Sequence, residues 1–308
     1  MAARSAKGWG LVGVGIAFLV CLCVPRVQAQ GIFFDDFNYR DAAALAAHGW
    51  TQRSALGHPG VEGAQWGPGT IALVDDPQTA GKRLLRLRAS TDGTAAGTTQ
   101  AQICHARKYF EGTYAARIRF SDTPVSGPDG DVVVQSFYLV SPLRHDFDPQ
   151  FSEVDWEYLP NGGWGDPQTR MYAITWQTVR LDPWLAYNQA HQEFRSFNGW
   201  HTLMLQIKDG KTRHILDGRL VAEHGGRNYP VVLMSLNFNL WFPAGGMLSV
   251  LNVVRTYEQD VDWVFHAQDQ LLTPAAVDAM VKSLQAKGLH AVDTILEGNP
   301  PLEGSCNF

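Results

Sequence analysis

The sequence predicts one all-β domain, a two-sheet antiparallel sandwich with a short helical extension at its C-terminal end, and three observations predict it. Short apolar or alternating segments recur between turn residues over most of the chain, as half-buried strands do. No helical period competes with them before Thr273. Glu153, Asp155 and Glu157 alternate with Val154, Trp156 and Tyr158, and this period of two places three carboxylates on one face of a strand and three apolar groups on the other. With 308 residues, 45% of them hydrophobic, there is ample material for one core, and sandwiches of about 200–250 residues commonly fold as one unit.

Residues 1–29 read as a secretory leader. Arg4 and Lys7 precede an uncharged run over residues 8–24, and Val27-Gln28-Ala29 has the small-residue pattern of a cleavage site. The run is short for a membrane span, so a secreted protein, extracellular or periplasmic and free of the membrane once the leader is cut, is expected. Cleavage would remove Cys21 and Cys23 and leave Cys104 and Cys306, which an oxidising compartment would join. Such a bond would staple the tail, adding about 4–5 kcal/mol in the chain-entropy description. The whole chain carries 25 Lys and Arg against 30 Asp and Glu, a net −5, and loss of Arg4, Lys7 and Arg26 takes this to −8. An acidic protein is a poor partner for nucleic acid or an anionic membrane and suits a neutral substrate.

Residues 30–266 hold the strand signals. Phe33-Phe34-Asp35-Asp36-Phe37 opens them, and a glycine-rich loop from Gly57 to Gly69 follows. Residues 71–74, 83–88, 98–104, 112–120 and 132–140 then read as strands, separated by turns such as Asp75-Asp76-Pro77, Asp92-Gly93 and Pro128-Asp129-Gly130. Past the acidic strand come Trp164, residues 171–178 and an aromatic loop with Trp184 and Tyr187. Trp184 offers a flat ring to the C–H face of a sugar, whereas Trp176 is expected inside. Trp200 opens a meander that turns at Asp209-Gly210 and Asp217-Gly218. In Leu236-Asn237-Phe238-Asn239-Leu240-Trp241 the strand period puts two amides and an indole on one face, an odd set for a core. Residues 267–308 form the extension. Thr273-Pro274 starts a helix that Gly288 ends, and Val277, Met280, Val281 and Leu284 make one apolar stripe to pack on the sandwich.

Three crowded carboxylates weaken a strand, a local cost expected where mutual repulsion keeps one carboxyl protonated while another stays ionised. Hydrolysis of a glycosidic bond needs that pair. On a flat strand the Cα atoms of Glu153 and Glu157 would lie about 13 Å apart. A retaining pair needs its carboxyl groups about 5–5.5 Å apart, so the strand must curve and both glutamates lean over Asp155. No other chemistry is visible: there is no Gly-x-Ser-x-Gly elbow and no His-Glu-x-x-His, and the 10 histidines are scattered.

Glu153-Val154-Asp155-Trp156-Glu157 resembles the Glu-x-Asp-x-Glu signature of glycoside hydrolase family 16, the β-jelly-roll enzymes that include lichenases and other endo-β-glucanases. The resemblance extends over roughly residues 33–265, through Gly112-Thr113-Tyr114, His201-Thr202, Asn239-Leu240-Trp241 and Asp260-Val261-Asp262-Trp263-Val264. It implies a concanavalin A-like jelly roll and an enzyme, a monomer, that cuts internal β-glycosidic bonds of a polysaccharide, most simply a β-glucan. It assigns Glu153 as nucleophile, Glu157 as general acid/base and Asp155 as the group between them. It places Asn239 and Trp241 at the bound sugar, and Gln102 where lichenases carry a substrate-binding glutamate. The Gln102 departure keeps hydrogen bonding but loses charge. No cofactor is required, although the resemblance implies a structural calcium at Asp262. Transglycosylation uses the same intermediate, and a non-catalytic sugar-binding module on the same sandwich is the rival from another class, which has no need of three intact acids.

Overall fold

The structure, a computed structural model, describes residues 1–2, 31–67, 69–302 and Cys306. Apart from Met1 and Ala2, the expected leader lies outside the described residues. The chain lays down β1 (Ile32–Asp35), a short helix α1 (Ala43–Ala47), β2 (Trp50–Gln52), β3 (Gln65–Trp66), β4 (Ile71–Asp75), β5 (Arg83–Thr91), β6 (Thr99–His105), β7 (Gly112–Phe120) and β8 (Val134–Val140). The acidic segment follows as β9 (Glu153–Leu159). Then come β10 (Arg170–Arg180), β11 (Leu185–Glu193), β12 (Gly199–Lys208), β13 (Lys211–Leu216), β14 (Arg219–Gly225), β15 (Ser235–Trp241) and β16 (Arg255–Gln268). Helix α2 (Pro274–Ala286) and β17 (Ala291–Asp293) close the sequence of elements.

Pairing sorts these strands into two sheets. The front sheet runs β2-β6-β15-β8-β9-β10-β11, antiparallel throughout. The back sheet runs β14-β13-β12-β7-β16. The first half of β16 continues to β5 and β4, and its second half continues to β1 and β17. The two hairpins of the meander turn as expected: Asp209 and Gly210 have φ of 53° and 75°, Asp217 and Gly218 have 49° and 81°, the left-handed pair that a tight hairpin requires.

Inward residues alternate along each strand and meet between the sheets. Val154, Trp156 and Tyr158 of β9 and Leu236, Phe238 and Leu240 of β15 bury against Ala116 and Ile118 of β7 and Leu203, Leu205 and Ile207 of β12. On the outer face of the back sheet, α2 sets Val277 and Val281 against Phe34, Met204, Trp263 and Phe265, with Met280 and Leu284 partly buried beside them. Thr273 caps that helix by accepting from the Ala276 N–H at 3.2 Å. Cys104 and Cys306 are joined in a disulfide with Cα atoms 5.5 Å apart, so the tail is fastened to β6.

Several elements differ from expectation: α1 is a short helix where only strands were expected, β3 lies inside the expected glycine-rich loop, and β17 is a strand inside the expected C-terminal extension, where it pairs with β1. Tyr187 belongs to a strand, because the expected aromatic loop shrinks to a turn and β11 begins at Leu185. Most of β11 is exposed, so it has no buried face to impose an apolar alternation. Trp176 is not a core residue. Its strand partner is Glu153, which places its ring on the outward face of the front sheet.

Candidate active site

Strand β9 lies inside the front sheet, between β8 and β10. Because Val154, Trp156 and Tyr158 enter the core, Glu153, Asp155 and Glu157 point outward. Cross-strand register extends that face into rows. Glu157 stands opposite Ser136 and Tyr172, Asp155 opposite Tyr138 and Ile174, Glu153 opposite Val140 and Trp176. The first row continues from Ser136 through Asn239 to Gln102, the second from Tyr138 through Asn237 to Cys104.

Apolar groups border this floor at both ends of the strands. Trp66, Val134, Leu159 and Trp241 pack together at the Leu159 end; Tyr138, Val140, Phe151 and Val179 do so at the Glu153 end, with Trp176 against them. Apolar walls and a polar floor match the two surfaces of a sugar ring, its C–H face and its hydroxyl edge. Several floor atoms are half satisfied. Asn239 donates through Nδ2 to the Tyr138 hydroxyl at 3.2 Å, while Asn239 Oδ1, Ser136 Oγ and Trp241 Nε1 are buried without a protein partner. Each such orphan costs about 1–3 kcal/mol unless water or a ligand takes it.

The acids are electrostatically strained. Burial first, and the Glu157 charge second, push Glu153 up to about 8; burial pushes Glu157 up to about 7. Burial, then the charges of Glu153 and Glu157, push Asp155 well above the usual carboxylate range. Solvent reaches the two glutamates, whereas Asp155 is sealed beneath them. Trp176 opposes the rise of Asp155 by donating its indole N–H to Oδ2, while Asp155 Oδ1 stays buried without a protein partner. Three carboxyls crowded and raised in this way titrate as one cluster that holds a proton at neutral pH. That arrangement can supply an acid and a nucleophile side by side.

By sequence, no protein-family profile and no curated protein matches the chain. Solved structures do. A β-glucanase from Bacillus licheniformis superposes with a TM-score of 0.56 at 15% identity, covering 78% of this chain and 100% of its own. A glycoside hydrolase family 16 endo-glucanase from Bacteroides ovatus, in complex with G4G3G-2F-DNP, gives 0.57 at 16% identity, covering 75% and 98%. The κ-carrageenase of Pseudoalteromonas carrageenovora, in complex with an oligotetrasaccharide of κ-carrageenan, gives 0.51 at 16%, covering 79% and 97%. This chain has their fold.

On that jelly roll the site residues expected from sequence occupy different positions relative to the acids. Asn239 and Trp241 lie on the floor and wall of the same groove. Trp184 is exposed at the β10–β11 turn and meets Trp176 edge-on, ring centroids 6.1 Å apart. Gln102 is on the floor but buried and engaged: its Oε1 accepts from Arg53 at 3.0 Å and its Nε2 lies 3.4 Å from the Cys104 sulfur. Asp262 is on the far side of the jelly roll, held by Lys82 and Arg117. Two cations already neutralise it, and among the described residues no group of three His, Cys, Asp or Glu side chains can hold a metal, so the donor set does not fit calcium.

Sequence reasoning missed Arg53, Tyr138 and the outward Trp176. Arg53 is fully buried, stacked at 4.1 Å on Trp66, and donates to Gln102 Oε1 and to the Ala55 and His58 carbonyls. Nothing around it in the sequence marks it, since it follows a strand of three residues whose face is readable only from its pairing with β6.

Proposed function

We propose that the protein is a secreted glycoside hydrolase that cleaves β-glycosidic bonds of a polysaccharide, a β-glucan first among them, with retention of configuration. The observation that carries this reading is the outward row Glu153-Asp155-Glu157, which among the described residues meets no basic side chain across the strands, on a sheet face bordered by two apolar clusters. The similar solved structures include endo-glucanases and a carrageenase, which supports a glycan substrate. Glu157, raised by burial together with Glu153, gives the leaving oxygen its proton, the role the family resemblance assigns to it. Glu153 attacks the anomeric carbon to give a glycosyl-enzyme, and Asp155, held protonated beside it by burial, donates its proton toward Glu153 while that group is charged. Water, deprotonated by Glu157, then attacks the same carbon and frees Glu153; a sugar hydroxyl in its place gives transglycosylation.

The test is incubation of the mature protein with β-glucans, galactans and xyloglucan, with oligosaccharides read by mass spectrometry and the first anomer by proton NMR. Release of β-anomer first is expected. An initial α-anomer would overturn retention, and sugar binding without any product would make the protein a lectin-like module. Trp241→Ala is expected to lower kcat/KM more than tenfold, about 1.4 kcal/mol, while unfolding stays cooperative.

A further inference from the structure

The groove over the acids is spanned. Strand β2 forms one edge of the front sheet, five strand intervals from β10, about 24 Å at ~4.8 Å each. It runs parallel to β9 and leaves the sheet at the Glu157 level, where the Arg53 N–H donates to the Gln102 carbonyl at 3.0 Å. Strand β10 runs the other way, passes Glu153 at Trp176 and turns beyond it at Trp184. The loops after β2 and β10 therefore start from opposite sides of the acids and from opposite strand ends. Yet the rings of His58 and Trp184 lie 6.1 Å apart, and Trp184 stands over Trp176, whose indole touches Asp155. Two such loops can meet only by crossing above the floor.

The crossing loop is pinned. Arg53 donates from beneath to the Ala55 and His58 carbonyls, both at 2.9 Å. Gln100 accepts from the Val61 N–H at 3.4 Å, and Gly60, at φ 111°, lies so close that a Cβ would fall 2.4 Å from the Gln100 amide oxygen. A strap fastened at both feet is a fixture of the groove.

We infer that the His58–Trp184 bridge turns the groove into a short tunnel, so that the protein threads the free end of a linear, unbranched glycan and releases short products from that end. This rests on the hydrolase reading above and departs from the internal cleavage that the family resemblance implies. His58 and Trp184 are then the residues that set the mode of attack: a chain interior cannot lie on the acids while they meet, and a branch cannot pass beneath them.

The test follows viscosity against reducing ends with linear mixed-linkage β-glucan and κ-carrageenan, for the wild-type protein and the double variant His58→Gly/Trp184→Ala. The wild type is expected to raise reducing ends with little loss of viscosity and to give one narrow product size from the first time point. The double variant is expected to lose several-fold more viscosity per bond cut, a ratio that simple destabilisation does not move. A wild type that collapses viscosity with its first cuts, or a ratio unchanged in the variant, overturns the tunnel. If neither protein cuts any glycan, the hydrolase reading fails, and the bridge is judged separately: His58→Cys/Trp184→Cys is expected to join through a short thiol-to-thiol cross-linker, and failure to join overturns it.

Discussion

Two strands of this protein carry three acids at alternate positions, and only one of them forms a reactive cluster. On β16, Glu258, Asp260 and Asp262 face outward from the back sheet, and their neighbours bring cations. Arg86 forks onto Asp260 at 2.7 and 2.9 Å and reaches Glu258 at 2.8 Å, Arg88 pairs with Glu258, Arg119 approaches Asp260, and Lys82 and Arg117 hold Asp262. On β9 the cross-strand partners of the acids are Ser136, Tyr138 and Val140 on one side and Tyr172, Ile174 and Trp176 on the other. None is basic. Spacing places acids on one face; what the adjacent strands contribute decides whether those acids are neutralised by cations or by retained protons.

That contrast can be broken at several points. Glu153→Ala is expected to lower turnover by a factor on the order of 10⁴–10⁶, with azide restoring an α-configured product, whereas Asp260→Ala on the paired ladder leaves kcat/KM largely intact. A second change supplies the missing cation. Ile174→Lys, opposite Asp155, is expected to pull the alkaline limb of the kcat/KM profile down by about 1–3 pH units from the neutral range where burial holds Glu157, and an unmoved limb would mean that no carboxyl of the cluster governs it. Asp260→Asn takes the forked partner from Arg86 and is expected to cost about 1.5–3 kcal/mol in denaturant unfolding, without an effect on product anomer. The smallest effect has the opposite sign. A carboxyl held above its unfolded value favours the fold below that value, about 4.3 for glutamate, and this contribution is lost as pH climbs through about 7. Glu157→Gln is therefore expected to stabilise the protein by ~1–2 kcal/mol at pH 8.5 and to leave it unchanged at pH 4. Equal effects at both pH values would show that Glu157 is not strained in the fold.

The sequence carried the elements whose pattern is local. Alternation marked β9 and β15, turn residues marked the meander, and caps marked α2, and each lies close to where the pattern put it. The shared face of Asn237, Asn239 and Trp241 was readable too, because a strand period fixes it without any partner. What stayed hidden depended on pairing across the sheet. Trp176 faces the acids because β10 meets β9 in one register and not the adjacent one, and a slip of one residue would have buried it. Arg53 and Gln102 hold one another across 49 positions of sequence, and Lys82 lies 180 positions before Asp262. Charge partners at such separations leave no mark in either local segment, so the ladder on β16 looked like a lone candidate ligand.

The disulfide between Cys104 and Cys306 also sets an order of events. The two cysteines are 202 residues apart, so at ~5–20 residues per second a growing chain exposes the first thiol for some 10–40 s before the second exists. Throughout that interval Cys104 has only upstream partners to react with, and the sequence contains just two, Cys21 and Cys23. Cutting the chain ahead of residue 30 while it is still being made would discard both. On the proposal that the protein is secreted and loses residues 1–29, a peptidase that acted late would leave β6 open to mispairing with that segment, so timely cleavage there would itself act as a proofreading step for the floor of the groove.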